Sequence, residues 1–225
     1  MRYSNKNFKA TVGIAGNARF VLERICSLLG NKDCYKGDKF KRESLVVKKN
    51  IYSALKNQWP NELRVLEGIR SVLPRDVITC WDTTVPASRA TRGFPVFNPG
   101  TFINPFGWVG IGFGFPASLG AKAAKPGKRV VCFTGDGGFQ YCMAELATAL
   151  QYDLNITVVI FNDNSWGALK TRQRAWMNDR VIASDLVNPD FVKLGSAYGI
   201  DSQRVYNRIE LVNAVLLGRK AYTEY

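Results

Sequence analysis

"FTGDGGFQYCMAELATALQYDLNITVVIFNDNSWG", residues 133–167, decides the fold. An apolar run, "RVVCF" (129–133), ends just before a glycine-flanked aspartate; a helical pattern follows over 142–152; a second apolar run, "NITVVIFN" (155–162), ends on Asp163 and Asn164. Short continuous apolar runs separated by one helix predict parallel strands buried on both faces. A right-handed crossover brings their carboxyl ends out on one side of the sheet, the side where open α/β sheets bind ligands. Asp136 follows the first end and Asp163 the second, so their carboxylates can converge if the strands are neighbours.

Gly135, Gly137 and Gly138 surround Asp136. Without Cβ atoms the backbone can turn sharply and bring its N–H groups close to an anion, and the following helix adds the positive end of its dipole. Two acidic side chains beside an anion-accepting backbone are chemically coherent if a hard cation bridges them. Magnesium suits this arrangement because it takes few protein oxygens and completes its shell with phosphate oxygens and water. Taken singly, each residue has a plainer reading: the glycines as a strand-to-helix turn, Asp163 as a loop initiator or helix cap. Ile111 then reads as a core residue at an apolar helix start, and Glu145 as a structural residue. It is the joint spacing that favours the ligand site.

Working outward, strand and helix patterns alternate: helix 62–71, strand 76–81, a long Pro/Gly-rich loop over 83–107, helix 110–124, then the two strands above. After an irregular stretch come helix 189–198, a short strand near "SQRVY" and a last helix over 208–219. The expected fold is α/β, a doubly wound parallel sheet over 60–225, truncated after its last helix. Residues 8–30 read as a strand, a Gly-Asn turn and a helix with Phe20, Val21, Ile25, Leu28 and Leu29 on its apolar positions, the remnant of a preceding α/β domain. Residues 31–59 read as a basic linker, partly helical near "NIYSALKNQW".

Composition narrows the chemistry. The 225-residue chain has no histidine, which excludes Ser-His-Asp, Cys-His and His-ligated metal sites within it. Its five cysteines (Cys26, Cys34, Cys80, Cys132, Cys142) show no CxxC spacing and are expected to be reduced and mostly buried. Neither a membrane span nor a secretory signal is expected, so the expected compartment is the cytoplasm. Of the net charge of +13, residues 1–50 carry +8 (12 Lys/Arg against 4 Asp/Glu). That local bias reads as a solvated face or linker, with a polyanion-binding surface as the alternative.

"GDGGF" followed about 24 residues later by "NDNSWG" resembles the thiamine-diphosphate motif of acetolactate synthase-like enzymes. The resemblance runs from about Glu62 to Val205 and includes "GFGFPASLGAKAAKPGKRVVCFTGDGGFQ" and "NPDFVKLGSAYGI"; "GNARFVLERICSLL" is similar to the end of the family's central domain. It implies thiamine diphosphate and Mg2+ as cofactors, with Asp136 and Asp163 as side-chain ligands and Ser165 as a ligand through its backbone carbonyl. By the same resemblance Gly137, Gly138 and Phe139, next to Gly135, offer backbone N–H groups to the diphosphate. Ile111 props the cofactor in its bent shape, and the Val109 carbonyl accepts from its 4'-amino group. The implied activity is that of a 2-oxo acid decarboxylase or carboligase, a lyase or transferase.

Family members usually carry a pyrimidine-binding domain whose glutamate activates the cofactor, and 59 residues before Pro60 leave no room for it. The expected partners are therefore a 2-oxo acid substrate and a second chain or missing N-terminal part, in a homo- or hetero-oligomer, with no membrane or nucleic acid. No catalytic residue is assigned within the chain. Acetolactate synthases tend to have Gln-His-Gln where this chain has Val85, Pro86 and Ala87, and a tryptophan where it has Arg172. Arg172 and Arg174 read as surface arginines or as contacts for a substrate carboxylate. A fragment of acetolactate synthase proper and a non-catalytic relic or regulatory cofactor-binding protein are the rival readings.

Overall fold

A computed structural model describes residues 10–30, 37–218 and, by their backbone, 222–224. The proposed strand start at Phe8, Cys34, the linker's first residues and the expected end of the last helix at Arg219 lie outside the described residues. The chain divides into two units, 1–50 and 51–225.

In the first unit, helix α1 (Ala18–Leu29) is where the apolar spacing placed it. Asn17 caps it by accepting from the Arg19 N–H at 3.0 Å, and Gly30 ends it. Residues 10–16 form no strand, contrary to expectation, and are exposed; a strand needs a neighbour for its backbone groups. The predicted basic linker is largely a 22-residue helix, α2 (Gly37–Gln58), which begins in this unit and ends in the second. No glycine or proline interrupts residues 38–58. Lysines, arginines and leucines are good helix formers, and the basic residues occupy solvated positions.

The second unit is built on a parallel sheet. Helix α3 (Pro60–Val72) starts with proline in its first turn, where the missing N–H costs nothing. Strands β1 (Ile78–Trp81), β3 (Val130–Gly135) and β4 (Thr157–Phe161) pair in that spatial order, with Cys80 opposite Cys132 and Cys132 opposite Val158. Strand β2 (Phe102–Ile103) flanks β1. Beyond β4 lie β6 (Tyr222–Glu224) and then β5 (Gln203–Arg204), giving the all-parallel order β2-β1-β3-β4-β6-β5. Where the sequence reading had a helix as the last element, the backbone after α10 (Arg208–Leu217) returns to the sheet as β6.

The alternation of strand side chains creates two cores. Trp81, Val131, Phe133 and Val159 face α3, α10 and a helix that the sequence reading missed, α4 (Val85–Gly93). Cys80, Cys132, Val158 and Ile160 face α5 (Gly114–Ala124), α6 (Asp136–Cys142), α7 (Leu146–Gln151) and α9 (Phe191–Ala197). Fully burying each large apolar side chain is worth about 1.5–3 kcal/mol, and Trp81 stacks on Phe133 at 4.1 Å between ring centres. Both faces are covered, as a doubly wound sheet requires.

Three local corrections concern the site. Residues 83–107 are not one loop: Thr84 Oγ1 accepts from the Ala87 N–H at 3.0 Å and Pro86 sits in the first turn, so the residues that suggested a loop instead start α4. The helix after β3 starts at Asp136 rather than Cys142, continuing through a 3₁₀ turn at Met143–Glu145 into α7. Within the supposedly irregular stretch after β4, Gly167–Trp176 forms α8.

Candidate functional site

The connection from β1 runs through α4 on one face of the sheet, and that from β3 through α6 and α7 on the other. The strand order thus reverses between neighbouring β1 and β3, and a crevice opens outside their carboxyl ends. A cavity of about 660 Å³ occupies this crevice, within the size range of small-molecule sites. Gly135, Asp136, Gly137, Gly138, Asp163, Ser165, Val109 and Ile111 all line it. Phe139 does not: its ring is in the core, 5.4 Å from Phe115 and 5.8 Å from Phe191.

Asp136 is the first residue of α6 and is 3% exposed. Burial pushes its carboxyl above the ordinary carboxylate range. The Asn188 amide and the N–H groups of Gly137 and Ser165 pull it back down, while the nearby Asp163 charge adds to the rise. Asp163 is exposed, accepts from the Ser165 N–H at 3.1 Å through Oδ1, and lays Oδ2 against Gly167 at the start of α8. It therefore also organises its own loop, as the plainer reading expected. Asn164 takes a left-handed backbone, φ 50°. Among the described residues no lysine or arginine forms an ion pair with either aspartate.

Two carboxylates that repel each other at the mouth of one cavity fit a divalent cation. Among the described residues no group of three or more His, Cys, Asp or Glu could hold a metal; the oxygens on offer beside the cavity are those of the two carboxylates and the neighbouring amides. Such a set suits Mg2+, which fills its shell with phosphate and water. Beside it, α6 has no side-chain cap at its start, and a Cβ on Gly137 would overlap the Trp166 ring.

The other wall is the loop before α5. Ile111 lies in this loop, not in the helix, and is 43% exposed. The reading of Ile111 as an ordinary core residue is corrected: the backbone turns before the helix begins and leaves the side chain at the cavity. Val109 has φ 60°, an uncommon conformation for a β-branched residue and a form of strain that concentrates at functional sites. Its N–H donates to the Pro105 carbonyl at 2.6 Å, and Thr83 Oγ1 donates to the Gly110 carbonyl at 3.1 Å.

The sequence reading passed over four residues here. Asp82, fully buried just after β1, accepts from the N–H groups of Thr83 (2.6 Å) and Gly112 (3.2 Å) through Oδ1. Through Oδ2 it accepts from the Gly114 N–H (2.9 Å) and the Thr134 hydroxyl (3.4 Å). A Cβ on Gly114 would stand 2.9 Å from the Asp82 nitrogen, so the approach requires glycine. Asn188 and Gln140 form a second hub on the Asp136 side, and Trp166 lines the cavity. A lone Asp in "WDTT" and an Asn 52 positions from Asp136 give no local signal; the one available pointer was that Asn188 opens "NPDFVKLGSAYGI". Val85 and Pro86 line the cavity, Arg172 reaches its edge, and Arg174 pairs with Asp179 at 3.6 Å on the surface. Glu145 accepts from the Thr148 hydroxyl at 2.7 Å, a structural role.

A doubly wound parallel sheet with two carboxylates and a glycine-lined helix start in the crevice at its switch point has the architecture of a cofactor-binding domain. Residues 82–220 match the family described as thiamine pyrophosphate enzyme, C-terminal TPP binding domain. The chain belongs to that family. It is 32% identical to an acetolactate synthase large subunit of Buchnera aphidicola, over 95% of this chain and 38% of the relative. With an acetolactate synthase isozyme 3 large subunit of Escherichia coli the identity is 33%, over 87% of this chain and 35% of the relative. With a sulfoacetaldehyde acetyltransferase of Castellaniella defragrans it is 31%, over 70% and 26%. The chain thus spans well under half the length of these curated relatives. The fold matches a solved thiamine diphosphate-dependent 4-hydroxybenzoylformate decarboxylase of Rhodococcus jostii with a TM-score of 0.66 at 24% identity, covering 73% of this chain and 32% of that one. No helix among the described residues is long and apolar enough to cross a membrane.

Proposed function

We propose that this chain is the diphosphate-binding portion of a thiamine-diphosphate- and Mg2+-dependent 2-oxo acid decarboxylase or carboligase. The observation that carries the reading is the position of Asp136 and Asp163 after the paired ends of β3 and β4, lining one cavity with Val109 and Ile111. Asp136 and Asp163 hold Mg2+ by their side chains and Ser165 holds it by its carbonyl. The start of α6 presents the backbone N–H groups of Gly137, Gly138 and Phe139 to the diphosphate, with Gly135 next to them at the end of β3. Ile111 supports the cofactor from the opposite wall, and the Val109 carbonyl accepts from its 4'-amino group. When bound, thiamine diphosphate supplies a nucleophilic carbon and a sink for the electrons released as a 2-oxo acid loses CO2.

The chain's own residues bind, orient and exclude water; the glutamate that activates the cofactor belongs to a pyrimidine-binding domain on a second chain or on a further part of the same protein. We assign the chain accordingly to a homo- or hetero-oligomer, with residues 1–30 as part of a central domain and 60–225 as the cofactor domain. Val85 and Pro86 line the cavity where acetolactate synthases tend to have Gln and His, which places decarboxylation and other carboligations beside acetolactate synthesis as candidate reactions. Free thiols at Cys26, Cys80, Cys132 and Cys142 support a reducing, cytoplasmic setting.

The test is calorimetric binding of thiamine diphosphate with and without Mg2+, in the presence of a pyrimidine-binding chain. Binding should require Mg2+ and weaken at least about 100-fold in Asp136→Ala. Metal-independent binding, or unchanged affinity in the variant, would remove the metal assignment.

A further inference from the structure

Asn188 precedes α9 by three residues, far in sequence from both strand tips, yet its side chain meets all of them. Its Nδ2 donates to Asp136 Oδ2 at 2.7 Å and Asn162 Oδ1 at 2.6 Å, and lies 3.0 Å from Asn164 Oδ1. Gln140 on α6 donates through Nε2 to Asn188 Oδ1 at 2.5 Å, which fixes which way the Asn188 amide faces. The backbone delivers the residue there. Trp166 N–H donates to the Ser184 carbonyl and Leu186 N–H to the Asn164 carbonyl, both at 2.8 Å, and Ser165 bridges to Asp185 in antiparallel fashion. The segment 184–186 is therefore laid along residues 164–166 of the loop after β4, and two residues further on the Asn188 side chain reaches Asp136.

A carboxylate that binds a cation has two oxygens, and its rotamer decides which one faces the ion. Here Oδ2 of Asp136 accepts from Asn188, and the N–H groups of Gly137 and Ser165 also bond the carboxylate, so its orientation is set from several sides. Hydrogen bonding to a ligating carboxylate orients it and tunes its affinity. We infer that Asn188, steadied by Gln140, is a positioning residue for the cation site: it locks the Asp136 rotamer and ties the β4 tip to the start of α6. A fixed carboxylate favours the short, rigid shell of Mg2+ over the longer and more variable shell of Ca2+. This inference rests on the reading of Asp136 as a cation ligand.

The test titrates Mg2+ and, separately, Ca2+ calorimetrically into the protein mixed with its pyrimidine-binding chain and a fixed excess of thiamine diphosphate. The melting temperature of each metal-free variant is recorded in parallel. Asn188→Ala is expected to weaken Mg2+ binding 10- to 100-fold and to lower the preference for Mg2+ over Ca2+, beyond any change in metal-free melting. Gln140→Ala, which leaves every group on the Asp136 carboxylate in place, should weaken Mg2+ binding by roughly 3- to 10-fold in the same direction. If Asn188→Ala does not fold, Gln140→Ala decides. Unchanged Mg2+ affinity and selectivity in the folded variant, with Asp136→Ala abolishing binding, overturn the role of Asn188 alone. No Mg2+ response in the unaltered protein overturns the functional reading beneath it.

Discussion

Two hubs hold the walls of the cavity, and they are built from different materials. Asp82 is fully buried and draws mostly on backbone N–H groups within the β1 end and the loop before α5. Asn188 is half-buried and draws on side chains from α6 and the loop after β4. A buried carboxylate surrounded by backbone donors fixes a loop once, during folding, because breaking any one bond leaves an unsatisfied group out of reach of water. A half-buried amide bonded to side chains orients individual groups instead. The wall carrying Val109 and Ile111 is thus held through its backbone, and the wall carrying Asp136 and Asp163 through side chains.

The largest expected effect breaks the rigid hub. Asp82→Ala strands the N–H groups of Gly112 and Gly114 and should cost about 2–4 kcal/mol of stability by urea denaturation; a loss under about 0.5 kcal/mol would show that the loop holds itself. Next is the contact between Gly137 and Trp166. Alanine is the better helix former, but its methyl would meet the ring, so Gly137→Ala should destabilise by about 1–3 kcal/mol and become neutral or stabilising in a Trp166→Ala background. Equal costs in both backgrounds would exclude the ring as the cause.

Smaller still is the strain at Val109. Val109→Gly relieves a left-handed β-branched residue at about 1–2 kcal/mol but adds unfolded-chain entropy, for a net gain of about 0.5 kcal/mol; a loss above about 1 kcal/mol would mean that the loop depends on the valine side chain. The last prediction leaves stability untouched. Burial pushes the thiols of Cys80 and Cys142 up to about 12 and that of Cys132 well above its ordinary value. At pH 8, iodoacetamide should modify exposed Cys26 and spare these three until urea unfolds the chain. Modification of any of them in the native protein, read by peptide mass spectrometry, would place the core beneath both walls among the locally opening regions.

What was legible in the sequence follows the range of the forces involved. The apolar runs of β3 and β4 and the residues at their tips could be placed because strand burial and crossover geometry are local rules. Helix α4 was hidden because Pro86 signals a loop as readily as a first helical turn, and the Thr84 cap settles the matter only when its partner is known. The early start of α6 was hidden by the glycines, which the close packing of Trp166 and Asp82 explains better than a turn does. Residue Ile111 was misread for a related reason, since an apolar residue beside a helix looks buried until the chain's turn is seen. Apart from Thr83, the partners of Asp82 lie 30 to 52 positions away, and those of Asn188 lie 24 to 52 positions away, beyond any local pattern.

The most direct measurement replaces Mg2+ with Mn2+ in crystals grown with thiamine diphosphate and locates the ion by anomalous scattering. The account predicts one peak within about 2.2 Å of a carboxylate oxygen from Asp136 and of another from Asp163. A peak that touches neither aspartate, or bound cofactor with no ion between the two strand tips, would contradict it.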